Sequence, residues 1–409
     1  MSEQQPQLSV PAEAAWGPTF DVGRATDAYI ATVPAADRAK SDAYFEGGYW
    51  IEFWGTLITV ALCLLLLHLR FAARLRDFAT ARGRGPWVQS LVVAIGVLIA
   101  LALLTLPWEL YTGYFREHQY AMSNQTGGGF LGEWLIGTLL GVAFTGLAIS
   151  GIYALVRRVR ERWTLWATGV TFLFILFLFT VQPVLVAPLF NDYQPLPPGE
   201  VRDSILSLAK EAGVPVDDVF WFNASKQTKR ISAGVSGLGG TARIALNDNL
   251  LNGTSLPEIR AVMGHEMAHY SLHHGLKLAL GFTLALGIGY FAVNHAFGRI
   301  QRRHGDRWGI RDLADPAGLP LAFGIFAVVM FLLTPVTNSM VRTAEHQADA
   351  FGLDAAKEPH GFASVAMRLS TYRKLEPGSL EELVFYDHPS GRARVERSMR
   401  WLAENPPAN

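Results

Sequence analysis

The chain has 409 residues, of which 50% are hydrophobic and only 17% are Asp, Glu, Lys or Arg, against about 25% charged residues in an ordinary soluble domain. That balance excludes a disordered chain, and the single Cys63 excludes an intrachain disulfide scaffold. The 35 basic residues cancel the 35 acidic ones, so no basic field favours phosphate and no nucleic-acid partner is expected.

Residues 1–50 have no basic start and no apolar stretch before Tyr49, so they do not read as a signal peptide. They read as a polar, partly helical segment. Beyond it, six windows lack any charged residue: 53–69, 85–108, 134–156, 163–191, 278–298 and 316–341. About 20 apolar residues cross the roughly 30 Å of bilayer hydrocarbon; the first window is slightly short and the others suffice. Six unbroken apolar helices exceed what a soluble core of this size can hide. Trp50, Trp54, Trp87, Trp108, Trp134 and Trp163 sit near window ends, as interfacial aromatics do. The expected fold is therefore an α-helical multi-pass membrane protein of about six spans, with membrane lipids as permanent partners. Its divisions are a polar segment 1–50, four spans over 51–191, a catalytic segment over 192–275, two spans over 276–341, and C-terminal helices over 342–409.

Loop charge gives an orientation. Segments 70–84 and 299–311 carry five Arg each and 157–162 carries four, whereas 109–133 has only Arg116. The positive-inside rule puts the Arg-rich loops in the cytoplasm and the segments 192–275 and 342–409 outside.

The segment 192–275 opens on a Pro-rich exit from the fourth window. Residues 200–212 have helical spacing, with Val201, Ile205 and Leu208 on one face, ended by Gly213 and Pro215. Residues 219–222 read as a buried strand. Segments 231–240 and 241–246 read as a hairpin turned around residues 237–240, with a flexible loop as the equal alternative. Together with the helix that follows, this predicts a small α+β zincin-like domain. That helix starts at Ser255-Leu256-Pro257-Glu258, where Ser255 caps, Glu258 reaches back and Pro257 fits the first turn. It is expected to run toward Gly275.

This helix contains His265-Glu266-Met267-Ala268-His269, a match to HExxH. Residues i and i+4 share a helix face one turn apart, so His265 and His269 can meet one metal ion, with Glu266 beside them as a base for water. Catalytic zinc commonly takes three protein ligands, His₂Glu among them. The third must come from another element, and Glu345 in Glu345-His346-Gln347-Ala348-Asp349, just after the last window, meets the need. Asp349 lies one turn on and is placed to accept a hydrogen bond from a ligand imidazole. His274 is a weaker candidate for supporting the site. The expected cofactor is one Zn²⁺ ion.

Several segments, in this order, resemble those of the integral-membrane CAAX prenyl endopeptidases. They are Glu117-His118 with Asn124-Gln125-Thr126, Pro188-Leu189-Phe190-Asn191 with Pro195-Leu196-Pro197, residues 262–270 with His274, residues 345–351, and Tyr386-Asp387-His388-Pro389. The resemblance covers about residues 50–400. It implies a zinc metalloendopeptidase with His265, His269 and Glu345 as ligands and Glu266 as base. It places His388 near the scissile carbonyl, a helix cap beside Pro389 being the alternative reading of that residue, and Arg394 near the site. It makes Ser232, Ala233, Gly234, Val235 and Ser236 part of an edge strand that pairs with extended substrate, although the family carries Asn and aromatics there. The family has seven spans, one more than the windows counted, and its active site faces the cytosol, opposite to the loop-charge orientation. The implied partners are polypeptides, either lipidated CAAX tails or, alternatively, non-prenylated membrane proteins under quality control. A zinc-stabilised transporter is the rival from another class; internal repeats and charges inside the spans, its usual marks, are missing from the sequence.

Overall fold

The computed structural model describes residues 6–237 and 242–407. Helical runs apolar and long enough to cross a membrane are Ala35–His68, Pro86–Gln119, Gly127–Leu189 and His274–Trp308, joined by a bent pair, Pro316–Leu332 and Thr334–Ala356. Together they hold all six charge-free windows. The run Gly127–Leu189 has 63 residues, which at 1.5 Å each is about 95 Å, three times the hydrocarbon thickness. It is divided at Arg160, where φ 40° and ψ −97° break the helix, so its two arms correspond to the third and fourth windows. None of its most apolar stretch is buried inside the fold, as expected of a surface solvated by lipid.

Two windows differ from simple straight spans. The first apolar window continues a polar helical start, giving a single helix of 34 residues from Ala35 to His68. The last is bent by 52° around Leu333, because Pro335 has no N–H to offer the carbonyl four residues earlier and its ring collides with that turn. The bend directs the helix Thr334–Ala356 out of the apolar layer and toward the polar domain.

The Arg-rich segments 70–84 and 299–311 meet: buried Arg76 donates to Asp315 Oδ2 and, at 2.9 Å, to Gly309 O. The two loops therefore lie on one side, as loop counting requires.

The polar domain holds a four-stranded sheet: β1 (Tyr193–Pro195), β2 (Val219–Phe222), β3 (Ala233–Ser236) and β4 (Arg243–Asn247), in the order β1-β2-β4-β3. β2 and β4 are parallel and the other pairs antiparallel. Among the described residues β3 pairs only with β4, Ala233 opposite Leu246 and Ser236 opposite Arg243, which leaves its other edge free there. The expected turn around residues 237–240 falls largely on 238–241, outside the described residues. β1 was not anticipated, since a three-residue strand ending in Pro195 reads as coil; proline is tolerated there because β1 is an edge strand.

Behind the sheet, Ile205 and Leu208 of helix Glu200–Glu211 join Val219, Ile244, Leu246, Ile259, Met263 and Met267 in one core. A second core joins the chain ends: Ala25, Tyr29 and Ile30 of helix Val22–Ala31 pack with Ala363, Ala366, Val395 and Met399. The interspan loop 116–126 anchors the approach to β3. Ser123 bridges Thr228, Asn124 N donates to Gln227 O at 3.1 Å, and Arg230 donates to Glu117 Oε2 at 2.7 Å.

Candidate metal centre and active site

The HExxH helix spans Leu256–Ser271. Its start carries a capping box: Ser255 N donates to Glu258 Oε2 at 2.7 Å. Glu258 is fully buried, and it also accepts from Ser364 and from Arg368, which ties the helix to Pro359–Leu369. The helix stops at Leu272 instead of reaching Gly275, because His273 takes the left-handed conformation (φ 55°) and His274 begins the next helix. This reversal brings His274 back over His269.

The second contributor is the helix Thr334–Ala356, and the two cross at a pair of glycines. A Cβ on Gly264 would lie 2.9 Å from Gly352 O, and one on Gly352 would lie 2.8 Å from His265 N. Those contacts are backbone and cannot yield, so the glycines set the spacing between His265 and Glu345. Gly352→Ala is expected to cost about 1–3 kcal/mol and to lower metal content well below one ion per chain, measured by atomic emission on purified protein. Full occupancy in that variant would show that the crossing does not set the ligand spacing.

His265, His269 and Glu345 present ligand atoms that all lie within 4.8 Å of one another. The hydrogen bonds assign the tautomers. Asp349 Oδ1, fully buried, lies 2.8 Å from His265 Nδ1 and accepts its proton. Gln347 Oε1 accepts from His274 Nε2 at 3.0 Å, and His274 Nδ1 then accepts from His269 Nδ1 at 3.1 Å. Both imidazoles thereby turn an Nε2 lone pair to the same point, with the two Nε2 atoms 3.2 Å apart. Glu345 Oε2 is buried there without a hydrogen bond, at 3.1 Å from His265 Nε2 and 3.3 Å from His388 Nε2. Two converging lone pairs and an orphaned carboxylate oxygen need a cation between them. In the metal-free site burial lowers the His265 pKa, but the carboxylates of Asp349 and Glu345 outweigh it and hold it up at about 9, so there a second proton, on Nε2, stands in for the cation. The donor set therefore fits a divalent ion taking imidazole and carboxylate ligands.

Glu266 lies in the same cavity, of about 210 Å³, with His388, Arg394 and the start of β3. Burial pushes its carboxyl up to about 7, His265 pulling it down and Glu345 pushing it back. Arg394 clamps Asp349 with Nη2–Oδ1 at 2.6 Å and Nε–Oδ2 at 3.0 Å. His388 Nδ1 is fixed by Asp387 Oδ1 at 2.8 Å. Ser232 and Ala233 border this cavity; Gly234, Val235 and Ser236 continue along the free edge into a second cavity, which Ser232 and Ala233 also line and which reaches Arg243 and the span end at Gln182.

His265, Glu266, His269, His274, Glu345, Asp349, His388 and Arg394 thus come together, with Ser232 and Ala233 bordering them, whereas Gly234, Val235 and Ser236 lie along the second cavity. Sequence reasoning missed Gln347 and Asp387, although both stand inside the quoted motifs, one beside a ligand and one beside His388. It also missed Gly264, Gly352 and Arg373. Nothing local marks these three, because helix crossing and cavity lining are tertiary facts.

The comparisons with known proteins follow the same division. Residues 25–192 match the description "CAAX prenyl protease N-terminal, five membrane helices", and residues 195–401 match "Peptidase family M48". An uncharacterized metalloprotease, YhfN, of Bacillus subtilis is 28% identical over 91% of this chain and 87% of its own. A CAAX prenyl protease 1 homolog of Oryza sativa is 27% identical over 78% and 77%. In fold, the chain is similar to the crystal structure of S. mikatae Ste24p, with a TM-score of 0.74 and 22% identity over 90% of this chain and 89% of that one. The chain belongs to peptidase family M48, as an integral-membrane metalloprotease with a CAAX prenyl protease N-terminal domain.

Proposed function

We propose that the protein is a zinc endopeptidase that hydrolyses extended polypeptides at the membrane edge, with His265, His269 and Glu345 holding the ion. The observation that carries this reading is the convergence of two imidazole lone pairs and an orphaned carboxylate oxygen beside buried Glu266, in a cavity that opens on a free strand edge. A bound zinc supplies Lewis acidity, polarising the scissile carbonyl and acidifying water. The remaining steps belong to the chain. Glu266 takes a proton from the attacking water and returns it to the leaving amine, a task suited to a carboxyl poised near neutrality. His388, in its imidazolium form with Nδ1–H held by Asp387, donates from Nε2 to the carbonyl oxygen as charge develops there. The free edge of β3 holds the substrate backbone by main-chain hydrogen bonds, which demand no particular side chain, so the Ser, Ala and Gly at 232–236 suffice. Asp349, Arg394 and His274 orient the ligand imidazoles.

Both polypeptide classes remain compatible with main-chain recognition: lipidated CAAX-type tails, as in the names of several relatives, and non-prenylated membrane proteins. Stripping the metal with a chelator is expected to abolish cleavage of a fluorogenic reporter peptide, and stoichiometric zinc to restore it. Cleavage that survives complete metal removal sinks the proposal.

A further inference from the structure

Side chains from both matched halves of the protein meet just ahead of β3. Tyr44, on the helix Ala35–His68, and Glu117, in the interspan loop, belong to the half over residues 25–192, and Arg230 belongs to the half over 195–401. Arg230 Nη2 donates to Glu117 Oε2 at 2.7 Å and to the hydroxyl of Tyr44, and that hydroxyl donates to Glu117 Oε1. The Glu117 side chain is only 13% exposed, so water screens the pair less than it screens a surface ion pair. Arg116 closes the group from behind: its guanidinium stands 4.2 Å from the Tyr44 ring and donates to Tyr44 O. On the other side the Arg230 guanidinium lies 5.4 Å from the ring of Tyr372, which lines the metal-side cavity.

The main chain between Arg230 and β3 is held from the opposite direction. Asn247 of β4, fully buried, donates from Nδ2 to Arg230 O at 2.8 Å, accepts from Ser232 N at 3.1 Å, and donates from its own N to Ser232 O at 2.9 Å. Residues 230–232 are therefore gripped on one side by Asn247 and on the other, through a single guanidinium, by the membrane half. Ile231, Ser232 and Ala233, which border the metal-side cavity, follow Arg230 directly. A strand bonded on one edge is located by whatever grips its end, and groups that hold a substrate must keep it within about 0.5 Å of the productive geometry. We infer that Glu117 and Arg230 are positioning residues for the peptide: by pairing across the two halves they set where the free edge of β3 stands relative to the metal ligands. The N-terminal half thereby takes part in substrate binding through the strand, although neither Glu117 nor Arg230 lines the cavity. The inference rests on the endopeptidase reading above.

The test uses the full-length, zinc-loaded protein in nanodiscs and a fluorogenic reporter peptide long enough to lie along residues 232–236. Glu117→Gln is expected to raise the KM of the reporter about ten-fold, the worth of one or two main-chain hydrogen bonds. Simple loss of folded enzyme would instead lower kcat and leave KM alone. The Ki of acetohydroxamic acid, which chelates the metal without reaching β3, should not change. Arg230→Gln should raise KM alike, and the double variant no further, because each residue acts through the other. An unchanged KM in Glu117→Gln overturns the inference, and so do single effects that multiply in the double variant. If Glu117→Gln fails to retain zinc, Glu117→Asp decides, since it keeps the charge and shortens the reach by one methylene: a KM raised about three-fold supports the inference, and an unchanged KM overturns it. The wild type is assayed first. No cleavage there counts against the endopeptidase reading, whereas cleavage with an unchanged KM in the variants counts against the positioning role.

Discussion

Glu266→Gln is expected to lower turnover of a reporter peptide by about 10²–10⁴-fold, the range for removing a positioned general base, while one zinc per chain is retained. Glutamine keeps the size of the side chain and touches none of the three converging ligand atoms, so metal content should not follow activity. The same substitution has a second signature in metal-free protein. Burial raises the folded-state pKa of Glu266 to about 7, so over the range above its ordinary value of about 4.5 the folded state binds more protons than the unfolded state. Stability carried by the protonated carboxyl is fully present below about pH 4.5 and is lost as pH rises through 7. The metal-free variant should therefore be more stable than the wild type at pH 8, by on the order of 2 kcal/mol once the partial exposure of Glu266 is allowed for. The gap should close toward pH 4.5 in denaturant titrations. Unchanged cleavage by the variant would falsify the assignment of Glu266 as base, and a pH-independent gap would remove the burial account of its pKa.

Arg394→Leu should be the most destabilising of the substitutions considered. Asp349 is fully buried, and its two oxygens are taken by Arg394 and by His265 Nδ1. Deleting the guanidinium leaves a buried carboxylate short of its cation, a loss of about 3–5 kcal/mol for such pairs. The ring of His265 loses part of what fixes it, so zinc affinity should also fall by about 10–100-fold, as when the groups that orient a ligand are removed. The double variant Asp349→Asn with Arg394→Leu separates the two effects. It removes the uncompensated charge and should recover most of the stability in chemical unfolding, but competition titration should still find weak zinc binding, because the hydrogen bond that orients His265 is no longer charge-assisted. Recovery of both, or of neither, contradicts the division of labour between the pair.

Much of this site was legible because its chemistry is written at short range. HExxH spacing states a helical face, Ser255 with Glu258 states where that helix begins, and Glu345 with Asp349 repeats the one-turn spacing on a second element. Charge-free length announces spans in the same direct way, since no soluble alternative hides so many. What stayed out of reach depends on how distant elements meet. The close approach at Gly264 and Gly352 is silent in either helix alone. The 52° bend at Leu333 is signalled by Pro335, but its effect, aiming Glu345 at the histidines, is not. His274 attracted notice as one histidine among several, yet its use follows from the left-handed turn at His273, a conformation no local pattern announces. β1 was lost because three residues ending in proline carry too little periodicity to register. Arg373 could not be distinguished from other arginines in the sequence, since only the fold shows that it lines the cavity.

The proposed ligands are separated by translation time as well as by distance. His265 and His269 are made before the helix His274–Trp308 and the bent pair, and Glu345 lies beyond that bend. The core that steadies the last helices is completed only when Val395 and Met399 meet Ala25 and Tyr29 near the other end of the chain. A ribosome-bound chain that has emerged as far as its histidines has neither a third ligand nor the closed cavity around it. The three proposed ligands can therefore share one ion only in a chain whose later spans are already in place.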